Sequence, residues 1–393
     1  LGYDGPVTLV GDEPHPPYER PPLSKDAMTG EAPSIKAIAS DALFAERAIR
    51  HIHSVRAVAI DRAAHVVHLS DGSSLPYNKL LLATGSVPRQ LPMTGLGSRC
   101  VYLRTFNDAL AIRAHLSAGN RVAIIGGGFI GLEIAATLRA AGRNVTVVEA
   151  VDRLLGRAVA PIIAAHVRQR LEAIGVRILT GTTVARLEGD SGRVSAAITS
   201  SGEHLPAQMV IIGIGVVPNV ELAETAGLAI GNGIRVDQHM QSSIPEILAI
   251  GDAAAYRHWF TGGDVRLESV QNATDQARLA ARTILGHVEA FAAVPWFWSD
   301  IGDMKLQMVG LTQGGDSHVV LGDLADNKFS IYHYAGSRLL GIESVNRPAD
   351  HMLGRKMLGA GFSPTPQTVA GGPDSLKAAL AAFNEDEPTR ATG

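Results

Sequence analysis

The segment RVAIIGGGFIGLEIAATLRAAGRNVTVVEA, residues 121–150, decides the fold of this 393-residue chain. Its first apolar run, Val122 to Ile125, is short and continuous, which is typical of a strand buried on both faces. Apolar residues from Ile130 onward then recur at helical spacing until Gly142, and the run VTVV predicts another strand. The segment therefore predicts one strand–helix–strand unit of a parallel sheet.

Three glycines in the turn of this unit have the G-x-G-x-x-G spacing of a dinucleotide-binding loop. Gly126 permits a tight turn, Gly128 lets the backbone approach a pyrophosphate, and Gly131 lets helix and strand pack closely. The helix N-terminus offers unpaired N–H groups to the phosphates. Glu149 ends the next strand, where it can accept hydrogen bonds from ribose hydroxyls and repel a 2′-phosphate. We therefore predict an NAD site rather than an NADP site, with a purely structural glycine turn as the alternative.

Glu133 lies in the first turn of the same helix, two residues after Gly131. A carboxylate there can simply complement the positive end of the helix dipole. It can also take part in the chemistry beside the dinucleotide. The residues alone leave both interpretations open.

The first twelve residues, LGYDGPVTLVGD, resemble the second half of the 121–150 unit. Each has a glycine that ends a helix, a short turn, an apolar run and an acid. Matching Gly2 to Gly142 puts the counterparts of the three loop glycines before residue 1, so we expect this sequence to lack the glycine loop of another dinucleotide unit. Asp12 is then its ribose acid. Two dinucleotide sites in one chain are typical of a flavoprotein reductase that binds FAD and NADH.

Further apolar runs end in glycine, as strands do when a ligand lies at their carboxyl ends. These runs are KLLLATG (79–85), MVIIG (209–213) and ILAIG (247–251). After Pro295 the pattern alternates, as in KLQMVGL and FSIYHY, which predicts an antiparallel sheet. We predict an α/β fold of the glutathione-reductase-like flavoprotein class, with two Rossmann-like dinucleotide-binding domains and a C-terminal α+β domain.

The same runs divide the chain. We predict an FAD-binding domain formed by residues 1–106, N-terminally truncated, and 232–294. An NAD-binding domain is expected at 107–231 and the C-terminal domain at 295–393.

Composition excludes several classes of protein. Hydrophobic residues make up 46% of the chain and charged residues 19%, which favours a globular enzyme over a disordered chain. A formal net charge of −3 gives no overall basic field for nucleic acid, and no apolar run has the length of a membrane span. The single cysteine, Cys100, excludes an internal disulfide and a cysteine metal cluster. We predict no metal site, no nucleic-acid or membrane partner, and a cytoplasmic location.

Nine segments in chain order resemble the NADH-dependent ferredoxin and rubredoxin reductases that serve oxygenases, the family of putidaredoxin reductase type and of aromatic dioxygenase reductase components. They are PYERPPLSK, LLLATGSVPR, YLRTFNDA, GGGFIGLE, GIGVVPN, AIGDAA, RLESVQNATDQA, PWFWSD and VNRPAD. The PPLSK loop has no cysteine, which argues against the disulfide reductase and peroxidase relatives. The resemblance spans nearly the whole chain.

The resemblance implies the site residues. Expected contacts with FAD or NAD lie at Asp12, Arg20, Lys25, Val58, Arg104, Gly126, Gly128, Gly131, Glu149, Arg157, Gly213, Asp252, Val270 and Trp298. The catalytic candidates are Lys25 and Glu133, as an ion pair beside the flavin and nicotinamide.

Structural alternatives remain for several of these residues. Lys25 can be an ordinary surface lysine, and Asp252 can cap a helix. Trp296 and Trp298 can be anchors of the core. The two arginines, Arg20 and Arg157, can lie on the surface.

The implied activity is hydride transfer from NADH to FAD, followed by single-electron transfer to a [2Fe-2S] ferredoxin that feeds a cytochrome P450 or a ring-hydroxylating dioxygenase.

The stretch 338–356 is predominantly basic. The basic residues Arg338, Arg347, Arg355 and Lys356 outnumber the acids Glu343 and Asp350 there. They form either a rim for an acidic partner or a mixed solvated face. We predict a monomer or weak homodimer. The alternatives are a rubredoxin, quinone or monodehydroascorbate reductase, or a non-catalytic flavoprotein resembling apoptosis-inducing factor.

Overall fold

The computed structural model describes residues 1–93, 99–116, 120–156, 158–190 and 193–385. Its helices, in chain order, are α1 Asp26–Thr29, α2 Asp41–Glu46, α3 Phe106–Leu116, α4 Phe129–Ala140, α5 Pro161–Ala173, α6 Glu221–Thr225, α7 Val270–Ile284, α8 Pro348–Gly359, α9 Pro366–Ala370 and α10 Gly372–Glu385. Its strands are β1 Val7–Val10, β2 Ile49–Ile52, β3 Ala57–Asp61, β4 Val66–Leu69, β5 Ser74–Pro76, β6 Leu80–Leu82, β7 Ser86–Pro88, β8 Cys100–Tyr102, β9 Arg121–Ile125, β10 Asn144–Val148, β11 Arg177–Leu179, β12 Val184–Asp190, β13 Arg193–Thr199, β14 His204–Pro206, β15 Met209–Ile212, β16 Val216–Pro218, β17 Ile230–Gly231, β18 Gly233–Val236, β19 Ile247–Ala249, β20 Ala254–Arg257, β21 Asp264–Val265, β22 Trp296–Ile301, β23 Met304–Gly310, β24 Ser317–Asp323, β25 Lys328–Ala335 and β26 Arg338–Val345. Strands and helices are interspersed, as an α/β fold requires.

The chain forms two compact units, each assembled from separate stretches of sequence. Unit 1 comprises Leu1–Arg89, Arg104–Leu110 and Val216–Ala292, and unit 2 comprises Gln90–Leu103, Ala111–Gly215 and Ala293–Gly393. The division into FAD-binding, NAD-binding and C-terminal domains stays a prediction.

Unit 1 is built from short sheets. Strands β1 and β2 are parallel, and so are β6 and β19, with Leu80 opposite Ile247. The apolar side chains of β6 and β19 are buried with those of β18, including Leu82 and Ile234. Because β6 and β19 run in the same direction, the residues that follow them emerge at one edge, as the glycine-terminated runs predicted.

Unit 2 contains the predicted strand–helix–strand unit. A parallel sheet has the strand order β11-β10-β9-β15-β8, with β9 at its centre. Helix α4 packs on β10 and buries Leu132, Ile134 and Leu138. Each of these side chains contributes about 1.5–3 kcal/mol by leaving water, which is more than the intrinsic propensity of so short a helix supplies. Helix α4 ends just before Gly142, whose φ of +77° suits a glycine.

The C-terminal part of unit 2 is a five-stranded antiparallel sheet of order β22-β23-β26-β25-β24. Helix α8 packs on β26 and β23, and α4 packs on β22. The alternating runs KLQMVGL and FSIYHY fall on β23 and β25, so the antiparallel sheet predicted there is confirmed.

Candidate functional site

The glycine loop between β9 and α4 is shaped by close backbone contacts. Gly126 has a φ of +110°, and a Cβ on it would lie 2.2 Å from the carbonyl oxygen of Gly213. A Cβ on Gly131 would lie 2.3 Å from the carbonyl oxygen of Gly126. Only glycine therefore fits at these positions without movement of the backbone. The predicted residue Gly213 belongs to this loop because its N–H donates to the carbonyl of Ile125 at 2.8 Å.

Gly128 differs from its neighbours because a Cβ on it would meet nothing within 4 Å. It is the N-cap of α4 and makes no side-chain cap, and the first N–H groups of a helix have no acceptor within the helix itself. Unpaired N–H groups, the positive end of the helix dipole and room for close approach are what a pyrophosphate needs. The loop fits a dinucleotide on these grounds.

Glu149 lies against the glycine loop. One carboxylate oxygen accepts a hydrogen bond from the Gly127 N–H at 2.6 Å, and the other accepts one from the Val151 N–H at 3.0 Å. Two oxygens carry about four acceptor positions, so Glu149 retains capacity for ribose hydroxyls. Arg157, its predicted partner, lies outside the described residues.

In unit 1, Asp252 and Arg104 are brought together at the edge where β6 and β19 end. The Asp252 Oδ2 accepts hydrogen bonds from the Ser86 hydroxyl at 2.8 Å and from the Arg104 Nη2 at 3.1 Å. Arg266 donates to the backbone carbonyl of Asp252 at 3.0 Å. Gly251, just before Asp252, has a φ of +70°, a backbone conformation that suits glycine in the turn after β19. A polar, half-buried edge of this kind can hold the polyol and phosphates of a flavin dinucleotide.

The proline-rich segment is fixed by a side-chain network. Tyr18 donates to a carboxylate oxygen of Glu13 at 2.5 Å, and Arg20 donates to the other at 2.8 Å. Arg20 also donates to the carbonyl of Arg104 at 2.5 Å, and the Tyr18 hydroxyl accepts from the Phe106 N–H at 2.8 Å. Burial, and then the hydrogen bond to Glu13, raise the pKa of Tyr18 to about 12. These contacts define the course of the chain toward Lys25.

Lys25 separates a short 3-10 turn, Pro21–Ser24, from α1. It belongs to unit 1, whereas Glu133 belongs to unit 2. The Lys25–Glu133 ion pair stays a prediction.

Three predicted flavin contacts lie near the surface of unit 1. Asp12 pairs with Arg56 at 2.8 Å, and both side chains are more than half exposed. Val58 on β3 and Val270 at the start of α7 are each about half exposed. Apolar side chains left open in this way are available to a ring system.

Glu133 is held by the C-terminal sheet. Its Oε1 accepts a hydrogen bond from the Ser299 hydroxyl at 2.6 Å and another from the Asp300 N–H at 3.1 Å. The rings of Phe129 and Phe297 pack beside these contacts, with centroids 4.8 Å apart. The first turn of α4 and strand β22 are therefore joined by both polar and apolar contacts.

The tryptophans of the PWFWSD segment pack against each other. The rings of Trp296 and Trp298 have centroids 5.6 Å apart, and the Arg355 guanidinium lies 4.8 Å above the Trp296 ring. Both indoles are only partly buried. An anchoring role in the core and a role beside a flavin both remain compatible with this placement of Trp298.

Sequence reasoning missed several side chains of these networks. They include Glu13, Tyr18, Ser86 and Ser299. Three of them lie in or beside segments that the sequence analysis names. Their hydrogen-bond partners depend on which distant segments of the chain pack together, and local sequence patterns do not encode this. Glu13 directly follows Asp12, and no local pattern distinguishes the role of one acid from that of the other.

Among the described residues, the structure has no helix that is both long and apolar enough to cross a membrane.

Family models match nearly the whole chain. Residues 2–277 match pyridine nucleotide-disulphide oxidoreductase, and residues 296–380 match the reductase C-terminal domain. The chain belongs to the pyridine nucleotide-disulphide oxidoreductase family. Membership implies a flavin and a pyridine nucleotide.

Individual relatives agree with the family. Rhodocoxin reductase of Rhodococcus erythropolis is 43% identical over 97% of this chain and 90% of that protein. The anthranilate 1,2-dioxygenase system ferredoxin–NAD(+) reductase component of Burkholderia cepacia is 40% identical over 96% of this chain and 93% of that protein. The crystal structure of the covalent putidaredoxin reductase–putidaredoxin complex matches with a TM-score of 0.93 and 39% identity, covering 98% of this chain and 94% of that one. These matches confirm the α/β fold class and the resemblance drawn from the nine segments.

Proposed function

We propose that this family member is an NADH-dependent ferredoxin reductase that binds FAD and passes electrons to a [2Fe-2S] ferredoxin serving an oxygenase. The observation that carries the proposal is the glycine loop of α4, open at Gly128 and flanked by the Glu149 carboxylate. One relative that matches over nearly the whole chain is named as the ferredoxin–NAD(+) reductase component of an anthranilate 1,2-dioxygenase system.

The choice of NADH over NADPH rests on Glu149. Its carboxylate is held against the loop by the N–H groups of Gly127 and Val151, so it cannot swing away without losing two hydrogen bonds. A 2′-phosphate would bring negative charge to the same place, whereas a ribose hydroxyl can donate to it. Arg157 is proposed to join Glu149 on the adenosine.

For FAD, we assign residues of unit 1 together with Trp298 of unit 2. Asp252 and Arg104 hold each other in place at the edge of β6 and β19, and Asp252 is oriented further by Ser86. Asp12 is proposed for the adenosine, Arg20 and Trp298 for the flavin surroundings, and Val58 and Val270 for ring contacts. When bound, the flavin and nicotinamide supply the hydride and single-electron chemistry.

Lys25 and Glu133 are proposed as the charged pair beside the reacting rings. A cation near the flavin favours negative charge on it, and a carboxylate holds that cation in position. Glu133 has the support for such a role, because Ser299 and Asp300 both donate to one of its oxygens.

The acceptor proposed is an acidic ferredoxin that docks on α8. Of the basic residues in this stretch, Arg347 is engaged with the carboxylate of buried Asp350 at 2.5 Å. Arg355 and Lys356 are exposed on the same helix, so they carry the attraction for an acidic partner.

We also propose that residues 1–106 and 232–294 serve FAD, residues 107–231 serve NADH, and residues 295–393 form the C-terminal domain. A cytoplasmic location is part of the same proposal.

The test begins with the visible absorption spectrum of the purified protein, before and after addition of FAD. NADH-dependent reduction of cytochrome c is then followed with a [2Fe-2S] ferredoxin, with rubredoxin, with a quinone and with no carrier. We expect bound flavin and a rate that depends on the ferredoxin. A protein that takes up no flavin refutes the proposal, and a rate that responds only to rubredoxin or to a quinone assigns a different acceptor.

The coenzyme choice is tested on the same preparation with Glu149→Gln. We expect NADH to outperform NADPH by at least about tenfold in kcat/KM, and the variant to narrow that ratio, because one full charge near the 2′ position is removed. Equal rates with both coenzymes in the unaltered enzyme would show that Glu149 does not discriminate.

A further inference from the structure

We propose that Ser299 is a positioning residue for the Glu133 carboxylate, so that the C-terminal sheet governs the charge beside the reacting rings. The inference rests on the proposed function, because it gives Glu133 a place at the nicotinamide and flavin. It adds to that function a named serine outside both dinucleotide-binding stretches.

The hydrogen bond itself is well placed. The Ser299 hydroxyl lies 2.6 Å from the Glu133 Oε1, and the Ser299 side chain is 1% exposed. The Asp300 N–H donates to the same oxygen at 3.1 Å. Hydrogen bonds to a charged acceptor are stronger than those between neutral groups, and burial excludes the water that would compete for the hydroxyl.

Both of these hydrogen bonds are made to the same oxygen of the Glu133 carboxylate. Both donors contact Oε1, which fixes the plane of the carboxylate through two bonds from adjacent residues of one strand. The orientation of the second carboxylate oxygen follows from that plane. Fixing a charged group in advance of the reaction removes the need to reorganise it during the reaction.

The supporting strand β22 is held by its pairing with β23. Ser299 pairs with Leu306 in the antiparallel register of β22 and β23, and Leu306 is 1% exposed. The Phe129–Phe297 contact fixes the same strand to the start of α4. A donor on such a strand has little freedom to follow a displaced carboxylate, so loss of the hydroxyl releases Glu133 instead of shifting the strand.

The Asp300 N–H cannot be removed by a side-chain substitution, so Ser299→Ala leaves Glu133 half supported. We expect the limiting rate of flavin reduction by NADH to fall about tenfold, the equivalent of one hydrogen bond to a charged group. The dissociation constant for NADH should stay within about twofold, because Ser299 acts on the orientation of Glu133 and not on the glycine loop.

Four variants make the test specific. Ser299→Thr keeps a hydroxyl and should restore most of the rate. Ser344→Ala removes another buried hydroxyl of the same sheet, one that accepts from Ser330 at 3.0 Å, and should leave the rate unchanged. Glu133→Ala, alone and combined with Ser299→Ala, completes a double-mutant cycle, because alanine has no acceptor for the Ser299 hydroxyl. Ser299→Ala should then have no further effect once Glu133 is replaced.

Two readouts are measured for every variant. The first is anaerobic stopped-flow reduction of the flavin by NADH, with no ferredoxin present. The second is the midpoint potential of the bound flavin, obtained with a chemical reductant and a reference dye. The unfolding temperature of each variant is recorded separately, as a control for stability. The potential should shift in Ser299→Ala, and this shift should vanish in the Glu133→Ala background.

The outcomes separate the two proposals. If NADH fails to reduce the unaltered flavoprotein, the proposed function is wrong, but coupled shifts in potential still establish the positioning role of Ser299. If NADH reduces it and the effects of Ser299→Ala and Glu133→Ala are additive in both readouts, the positioning role is wrong and the function stands. Equal losses of the flavin reduction rate in Ser299→Ala and Ser344→Ala also refute the positioning role, because both substitutions would then act only through the packing of the sheet.

Discussion

The two regions assigned to dinucleotides are held together in different ways. In unit 2, the loop before α4 is built from backbone: Gly126 packs on the carbonyl of Gly213, and the Glu149 carboxylate accepts from backbone N–H groups. In unit 1, the edge at Asp252 is built from side chains of Ser86 and Arg104. A substitution disrupts a site built from backbone by a steric clash. It disrupts a site built from side chains by removing a hydrogen-bond or ion-pair partner.

The largest effect is expected from Gly126→Ala. Its Cβ would lie 2.2 Å from the Gly213 carbonyl oxygen at a φ of +110°, so the loop must move. We expect reduction by NADH to fall at least about a hundredfold and stability to fall by about 3 kcal/mol, while unit 1 still binds FAD. Stopped-flow kinetics and denaturant unfolding measure both.

Gly128→Ala is the matched control for that variant. Its Cβ enters open space, so the protein should unfold at nearly the wild-type denaturant concentration while its KM for NADH rises. If Gly128→Ala destabilises the fold as much as Gly126→Ala, the distinction between a structural glycine and a ligand-facing glycine is wrong.

A smaller effect is expected from Asp252→Asn in unit 1. The ion pair with Arg104 is mostly buried, with 17% of the Asp252 side chain and 22% of the Arg104 side chain exposed. Removing the charge leaves Arg104 poorly compensated, at a loss of about 1–3 kcal/mol. Titration of the flavin-free protein with FAD should show binding about tenfold weaker, with NADH binding to unit 2 retained. Unchanged FAD affinity would exclude Asp252 from the flavin site.

Tyr18 gives a smaller effect that depends on pH. Its pKa is raised from 10.0 to about 12, so the folded state keeps its proton where the unfolded state loses it. The resulting stability is fully present below pH 10 and is lost as the pH rises from 10 toward 12. Unfolding of wild type and Tyr18→Phe, compared across this window, should show a shallower decline in the variant. Parallel declines would show that the pKa of Tyr18 is the same in the folded and unfolded states, because the other tyrosines contribute equally to both proteins.

Asp12→Asn should have the smallest effect on stability. Asp12 and Arg56 are 53% and 71% exposed, and exposed ion pairs typically contribute about 0–1 kcal/mol, screened by salt. We expect the unfolding free energy to change by less than about 0.5 kcal/mol. Any clear loss of FAD affinity would then indicate a direct contact between Asp12 and FAD, because the change in the free energy of unfolding is small.

Much of the site could be predicted from local pattern. The spacing of Gly126, Gly128 and Gly131 between a buried strand and a helix predicts the glycine loop. Backbone conformation and side-chain periodicity both depend on neighbouring residues, so a local pattern is sufficient to predict them. Glu149 follows at the end of the next strand for the same reason. The antiparallel sheet after Pro295 was likewise readable from its alternating runs.

The sequence by itself determined the strand–helix–strand unit, the glycine loop and the acid beside it. Only the tertiary structure decided that Ser299 supports Glu133 and that Ser86 supports Asp252, since each pair is separated by 166 residues. Such partners depend on which strands pair and in what register, and period-two or period-3.6 patterns carry no information about pairing across that distance. For this protein, local residues fix the shape of the glycine loop, and the packing of distant strands fixes the hydrogen-bond partners of Glu133 and Asp252.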